Sequence, residues 1–502
     1  MVITEDRKMN YVSTRGGAER VSAAHAIKTG LASDGGLYMP EEIPTLTEDE
    51  LAALCALSYP ERAAAVLYKF LDGFEYEELL EDAEAAYSPE KFKPSPTPIT
   101  NLGGGEYMLE LWHGPTCAFK DMALQLMPRL FVRSQRKCGE NRKALILVAT
   151  SGDTGKAALE GYRDVPGTLV KVFFPVDGVS EVQKRQMQTQ EGDNLSVDGI
   201  RGNFDDAQSG VKALFADGEL REELDRMGIF LSSANSINWG RLVPQIVYYI
   251  SAYCDLLRDG AIRMGELVDV TVPTGNFGNI LACYIAKKMG LPIGRLVCAS
   301  NRNDVLTEFF RTGTYNRCRP FHTTTSPSMD ILISSNLERL LYMTLGAEKT
   351  AEYMKRLAED GAYTLRDEDF SAVGRDFSAY SCDEEECART VREIFQNKNC
   401  LIDTHTAVAV NCSHKYMNEN KAERKMLAVS TASPYKFARD VYRAVYGSDV
   451  GDSVGALAAL SSRSSVPVPE PLSALEGRPI NHGRTIDKQD MKSAVREFAA
   501  RA

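Results

Sequence analysis

An α/β fold built on parallel sheet is what this sequence predicts, on three observations. From about residue 143 onward, short apolar, β-branched runs alternate with longer amphipathic segments, the signature of strand–helix units that assemble parallel sheets. Several of those runs end in polar, glycine-rich loops, where open α/β sheets place their ligands. The length of 502 residues also exceeds the roughly 250 to 300 that one hydrophobic core supports, so at least two domains are expected.

The clearest strands are predicted over 144–150, 169–174, 268–273, 296–300 and 426–431. Between them, 151–163, 178–190, 204–217, 238–257 and 279–289 carry apolar residues at three- and four-residue spacing, several just after a Ser, Asp or Asn suited to cap a helix. The first hundred residues differ: they are rich in Glu and Ala, with helical spacing over 48–57, 63–71 and 75–87, and end in a proline run over 93–98. This divides the chain into a mainly helical region 1–98, a core over 99–447, and 448–502 read as a linker with a terminal helix over 487–501. Residues 359–399 are charged and helix-prone without a strong strand, which suggests an insertion. No internal repeat is evident.

Composition narrows the function. Hydrophobic residues at 44% and charged residues at 25% match a soluble globular enzyme. A formal net charge of -11 argues against nucleic acid or an anionic membrane as partner, because either requires a basic face, but leaves room for a small anion held by a few local donors. The 11 cysteines are odd in number and lack any Cys-x-x-Cys pair, so reduced thiols are expected and neither a disulfide framework nor a zinc module. The histidines show no metal spacing. Glu5, Asp6, Arg7 and Lys8 precede any apolar run, so no secretory signal is read, and no stretch approaches 18 uncharged apolar residues; the cytoplasm is the expected location.

The chemistry concentrates in five loops. Thr274-Gly275-Asn276-Phe277-Gly278-Asn279 joins a strand to a helix, where backbone N–H groups and the helix dipole converge on a spot suited to phosphate; a plain strand-to-helix turn would read the same. Thr150-Ser151-Gly152-Asp153-Thr154-Gly155-Lys156 puts hydroxyls at a second helix start and superficially resembles a nucleotide loop, but Thr150 stands where the Walker pattern needs Gly and Ala157 where it needs Ser or Thr. In His113-Gly-Pro-Thr-Cys-Ala-Phe-Lys120, a lysine opens the helix-prone run 119–131, and the helix dipole disfavours its cationic form. A neutral amine is what imine formation with an aldehyde requires, although a surface lysine is the simpler alternative. The segments 232–241 and 430–436 add amides, hydroxyls and one or two cations. Together the five describe a crevice for a small ligand bearing a phosphate. His25, His322, His405, His414 and His482 are read as structural, with His405 in a position to border the crevice.

With these residues assembled, the chain resembles threonine synthase, in the branch found in bacteria and fungi, over most of its length. The resemblance rests on Asp34-Gly-Gly-Leu-Tyr-Met-Pro40, HGPTCAFKD, ATSGDTG, Gly202-Asn-Phe-Asp-Asp-Ala-Gln208, SANSINWGR, PTGNFGN, Ser326-Pro-Ser-Met-Asp330 and STASPYKF, all in one order. It implies the fold type II architecture of the tryptophan synthase β-like group, two α/β lobes closing over pyridoxal phosphate. It further implies Lys120 as the cofactor-bearing lysine and general acid and base. Gly275, Asn276, Phe277, Gly278 and Asn279 would form the phosphate cup, with Thr431 facing the pyridine nitrogen. Asp153 stands where relatives often place an amide near the cofactor's 3′-oxygen, and a carboxylate there would repel a phenolate unless a proton or cation lay between. Ser151, Thr154, Asn235, Ser236 and Arg241 are candidates for the substrate carboxylate or phosphate, Arg241 as a phosphate fork.

The implied activity is that of a carbon–oxygen lyase acting on phosphates, which turns O-phosphohomoserine and water into threonine and phosphate. The expected partner is that small molecule, in a monomer or homodimer. A phosphohomoserine lyase, an O-phospho-amino-acid synthase, or a non-catalytic ligand-binding relative would carry the same motifs.

Overall fold

The computed structural model describes residues 9–451 and 454–501, apart from the side chain of Asp205. Of the charged start read as lacking a secretory signal, residues 5–8 lie outside the described residues, as do 452, 453 and 502 of the C-terminal stretch. Two parallel sheets organise the rest. The larger runs in the order Phe377–Ser381, Ile293–Ser300, Val268–Pro273, Lys425–Ser430, Glu106–Glu110 and Ile99–Gly103, parallel except for the last, antiparallel pair. The smaller is parallel throughout: Thr485–Asp487, Leu195–Arg201, Thr168–Pro175, Lys143–Ala149 and Ile229–Ser232.

Central strands such as Val268–Pro273 and Thr168–Pro175 are buried at every position, as expected when helices cover both faces of a sheet. Because the strands run parallel, the loops after 110, 149, 232, 273 and 430 all leave from carboxyl ends. These are the five loops in which the chemistry was located.

The α/β prediction holds, and each of the five expected strands is present within a few residues. The helices Asp153–Gly161, Glu181–Gln188, Phe204–Ala216, Trp239–Arg258 and Gly278–Met289 occupy the expected stretches. Three differences have physical causes. The run 119–131 is two helices, Asp121–Leu124 and Met127–Lys137, with Pro128 beginning the second, where a missing N–H is tolerated. Residues 359–399, read as helix-prone without a strong strand, supply Phe377–Ser381, whose five residues are held by pairing with Ile293–Ser300. The stretch read as a linker holds the helix Gly455–Ser464 and the strand Thr485–Asp487, which extends the smaller sheet before the helix Met491–Ala499 packs onto it.

The N-terminal helices Glu48–Cys55, Tyr59–Phe70 and Tyr76–Ala86 share one apolar core with strands of both sheets, Leu67 with Leu109, Ile146 and Val270. Arg62 fastens them. Its buried guanidinium donates to the carbonyls of Leu54 (2.9 Å) and Cys55 (3.1 Å) and reaches Ser251 Oγ and Asp255 on the helix Trp239–Arg258, each at 2.8 Å. Removing a cation that satisfies buried oxygens leaves them without donors. Arg62→Ala should therefore lower unfolding free energy by roughly 3 kcal/mol. Denaturant titration checks this, and a loss under about 0.5 kcal/mol, the size of an ordinary surface substitution, would contradict it.

Candidate active site

The loop that carries Lys120 is tied down at both ends. Asp121 accepts from the N–H (2.8 Å) and hydroxyl (2.6 Å) of Thr116, closing the loop on itself. Across the sheet, Phe119 N–H donates to the Thr431 carbonyl (2.8 Å), Ser433 N–H to the Cys117 carbonyl (3.0 Å), and Leu111 N–H to the Ser430 carbonyl (3.0 Å). The 111–121 and 430–433 segments are thus laced together, and Lys120 and Thr431 lie on one wall.

The Lys120 side chain is only 10% exposed; its Nζ lies 3.3 Å from Ser328 Oγ and 3.9 Å from Asp153 Oδ2. Burial pushes its ammonium down to about 8 against the pull of Asp153, with Arg241 and Lys436 adding to the decrease. The helix dipole invoked from the sequence is a minor contributor, since Asp121–Leu124 is a single turn. Desolvation achieves what the dipole was expected to do.

Asp153, at the start of Asp153–Gly161, is paired with a buried cation. Lys436 Nζ lies 2.8 Å from Oδ1, and Gln183 Nε2 donates to the same oxygen at 2.8 Å. Burial raises this carboxyl, but Lys436, then Lys120, outweigh it and hold it well below the usual carboxylate range. Lys436 also donates to the Thr116 carbonyl and to Gln186 Oε1, both at 2.9 Å, so three acceptors meet the three protons of an ammonium. Lys436 was legible as the cation of the 430–436 segment, but its partner depended on the fold.

The 274–279 loop follows Val268–Pro273 and turns through Phe277, in the left-handed region at φ 61°, into the helix Gly278–Met289. Asn336 donates to the Asn276 carbonyl from its N–H (3.1 Å) and its amide (2.9 Å), and Ser334 Oγ donates to the Gly275 carbonyl at 2.7 Å. Gly275 is required sterically, because a Cβ there would lie 2.6 Å from the Ser328 carbonyl. The Phe277 ring packs among Phe310 and Phe377, so this residue can offer a ligand only its backbone. Asn279 Oδ1 lies 2.5 Å from the hydroxyls of both Tyr248 and Tyr249, while its Nδ2 is buried without a partner among the described residues. An unpartnered buried donor at a helix start fits the phosphate of pyridoxal phosphate.

The remaining candidates lie on the loops and helix starts that follow Lys143–Ala149 and Ile229–Ser232. Thr150 Oγ1 accepts from the N–H groups of Gly152 (3.0 Å) and Gly155 (2.9 Å), and this holds Ser151 and Thr154, both half-buried, at the helix start. Gly152 has φ 131°, and a Cβ on it would meet the Gln183 amide at 2.6 Å. Asn235 and Ser236 are half-buried, Ser236 Cβ lying 3.8 Å from where a Cβ on Gly278 would stand. Arg241 is buried, its Nη1 donating to the Ala234 carbonyl at 2.6 Å, so one arm of the expected fork already serves the protein. Lys156 is bonded to Glu160 (3.1 Å) and to Gln190, which leaves no cation for a nucleotide phosphate.

Two further residues enter the site: Ser328, which had no assigned role in the sequence, and His405, read there as structural and in a position to border the crevice. Ser328, in the Ser326–Asp330 motif, touches Lys120 with its hydroxyl and crowds Gly275 with its carbonyl, so it joins the lysine to the phosphate loop. Its N–H donates to His405 Nε2 at 3.1 Å, and His405 Nδ1 lies 2.7 Å from Asp403 Oδ2. With Nε2 accepting from Ser328 and Nδ1 beside Asp403, His405 stands one residue behind Lys120.

Comparisons with known proteins give the family. The family model "Threonine synthase N terminus" matches residues 10–87, "Pyridoxal-phosphate dependent enzyme" 91–432, and "Threonine synthase, C-terminal" 406–498. The threonine synthase of Pseudomonas aeruginosa is 40% identical over 88% of this chain and 91% of its own. Among solved structures, the pyridoxal-phosphate-bound threonine synthase from Brucella melitensis superposes with a TM-score of 0.86 at 37% identity, covering 98% of this chain and 99% of that one. Threonine synthase from yeast gives 0.87 at 32%, covering 99% and 100%.

Gly275→Ala should force the Ser328 carbonyl and the phosphate loop apart. Cofactor affinity, read by fluorescence titration of the stripped protein, is expected to fall by about tenfold or more, the equivalent of one lost good contact. Unchanged affinity would remove the loop from the site.

Proposed function

The chain belongs to the threonine synthase family of pyridoxal-phosphate-dependent enzymes, and from that premise we propose how its residues convert O-phosphohomoserine and water to threonine and phosphate. When bound, pyridoxal phosphate supplies an electron sink that stabilises negative charge on the substrate carbons beside the amine. The 275–279 loop would hold its phosphate through backbone N–H groups and the Asn279 amide. Thr431 would offer the ring nitrogen a neutral hydroxyl, a weaker support for the sink than a carboxylate, which would put more of the proton handling on the protein.

Lys120 would hold the cofactor, and its amine, when free, would take the proton from Cα, move a proton from Cβ as phosphate leaves Cγ, and return protons to Cγ and Cα as the hydroxyl of water adds at Cβ. An amine lowered to about 8 is close to the balance between base and acid that such a shuttle needs. Ser151 and Thr154 on one side, and Asn235, Ser236 and Arg241 on the other, receive the substrate's carboxylate and phosphate, with Arg241 offering whichever N–H groups Ala234 does not use.

The observation that carries this reading is the place of Lys120: a buried amine beside Ser328, between the phosphate loop and the 151–154 helix start. The cytoplasm is the proposed location, supported by eleven cysteines all carried as free thiols. Among the described residues, no helix is long and apolar enough to cross a membrane. The proposed assembly is a monomer or homodimer.

Purified protein should show a visible band of lysine-bound cofactor that is absent in Lys120→Ala, and should release phosphate and threonine in equal amounts from O-phosphohomoserine. Phosphate without threonine would make it a lyase, and no band after cofactor is supplied would remove the catalytic reading. Since only the neutral amine attacks an aldehyde, attachment of the cofactor should slow about tenfold per pH unit below about 8 and level off above it. A flat profile from pH 6 to 9 would contradict the assigned environment of Lys120.

A further inference from the structure

Three charged side chains, Lys436, Asp153 and Lys120, meet in one buried cluster, and their contacts are unequal. Lys436, with no exposed side chain, is immobilised by acceptors from three separate elements: Thr116 in the Lys120 loop, Gln186 on Glu181–Gln188, and Asp153 on Asp153–Gly161. Gln186 Nε2 donates to the same Thr116 carbonyl at 3.2 Å, so the frame around Lys436 is itself cross-linked. Asp153 divides its oxygens. Oδ1 is taken by Lys436 and Gln183, while Oδ2 faces Lys120 at 3.9 Å and Ser328 Oγ at 3.4 Å.

We propose that Lys436 is the positioning residue that sets the proton affinity of Lys120: it neutralises Asp153 from the side away from Lys120, so that Lys120 works beside a compensated pair and not beside a bare carboxylate. The proposal rests on the reading of Lys120 as the cofactor-bearing amine. An isolated anion this close would hold Lys120 as an ammonium and suppress its attack on an aldehyde. It would also repel an anionic oxygen on the cofactor ring. A single fixed cation removes both obstacles, which explains why a carboxylate is tolerated at position 153.

The other charged and titratable groups around the cluster are Arg241 from Trp239–Arg258, Asp121 beside Lys120, the Lys156–Glu160 pair next to Asp121, and the His405–Asp403 pair behind Ser328. Cys117 is also near, its thiol pushed up to about 12 by burial. None of these binds an Asp153 oxygen in place of Lys436.

The test is the rate at which full-length protein, stripped of cofactor, forms the visible band with added pyridoxal phosphate as a function of pH. Lys436→Met should move the apparent pKa of that rate up by about one pH unit or more, the size of effect expected from a nearby unpaired charge. Asp153→Asn should move it below wild type, and the double variant should fall back toward wild type or under it. A Lys436 that merely ties the segments together would lower thermal stability without displacing the profile, and Asp153→Asn would not correct its variant. Wild-type profiles in folded Lys436→Met and in Asp153→Asn overturn the proposal. Should Lys436→Met not fold, the Asp153→Asn profile decides alone: a lower value supports the proposal and an unchanged one overturns it. Absence of the band in wild type would instead overturn the reading of Lys120.

Discussion

A buried carboxylate shared between two lysines is the constraint on which the site depends. Ions of either sign are costly to remove from water, and here the Asp153, Lys120 and Lys436 side chains are at most 10% exposed. The arrangement is tolerable because the charges are placed to offset one another and because Lys436 has an acceptor for each of its protons. What remains is one amine, Lys120, with a weak 3.3 Å contact to a serine and a carboxylate beyond it. The cluster keeps one lysine fixed and leaves the other free to react.

The fold supplies that geometry by bringing carboxyl-end loops of two parallel sheets together. Lys120 and Lys436 come from loops on the larger sheet and Asp153 from a loop on the smaller, so their ion pairs join the two halves. Ser328 links the lysine to the phosphate loop, and the close approach of its carbonyl to Gly275 leaves no space for a side chain there. The N-terminal helices are fastened through Arg62 to the helix Trp239–Arg258 that carries Arg241. Packing, electrostatics and chemistry therefore meet at the same few residues.

Much of this was legible in the residues alone. Buried parallel strands such as 144–150 and 268–273 announce themselves as continuous apolar runs, and the glycine-rich loops after them mark the ligand crevice. Strands that are polar or short were not legible. Leu195–Arg201 contains Asp198 and Gly199, and Phe377–Ser381 and Thr485–Asp487 depend on neighbours distant in sequence. The same limit applies to the site. Lys120, Asp153 and the 275–279 loop could be named because each sits in a distinctive local pattern. The partners that tune them could not, since Lys436 with Asp153, and His405 with Ser328, are pairings created only by tertiary contact. The dipole argument for Lys120 pointed to a lowered amine through the lesser cause, because burial, which lowers it to about 8, cannot be read from a loop.

The central claim is that Lys120 is the lysine that bonds the cofactor, Lys156 and Lys436, the other buried lysines at the crevice among the described residues, being bonded to carboxylate, amide and carbonyl acceptors. The most direct measurement is borohydride reduction of the holoenzyme followed by peptide mapping, which fixes the cofactor covalently to whichever lysine holds it. The account predicts the label on the peptide containing Lys120. Label on Lys156 or Lys436 would contradict it.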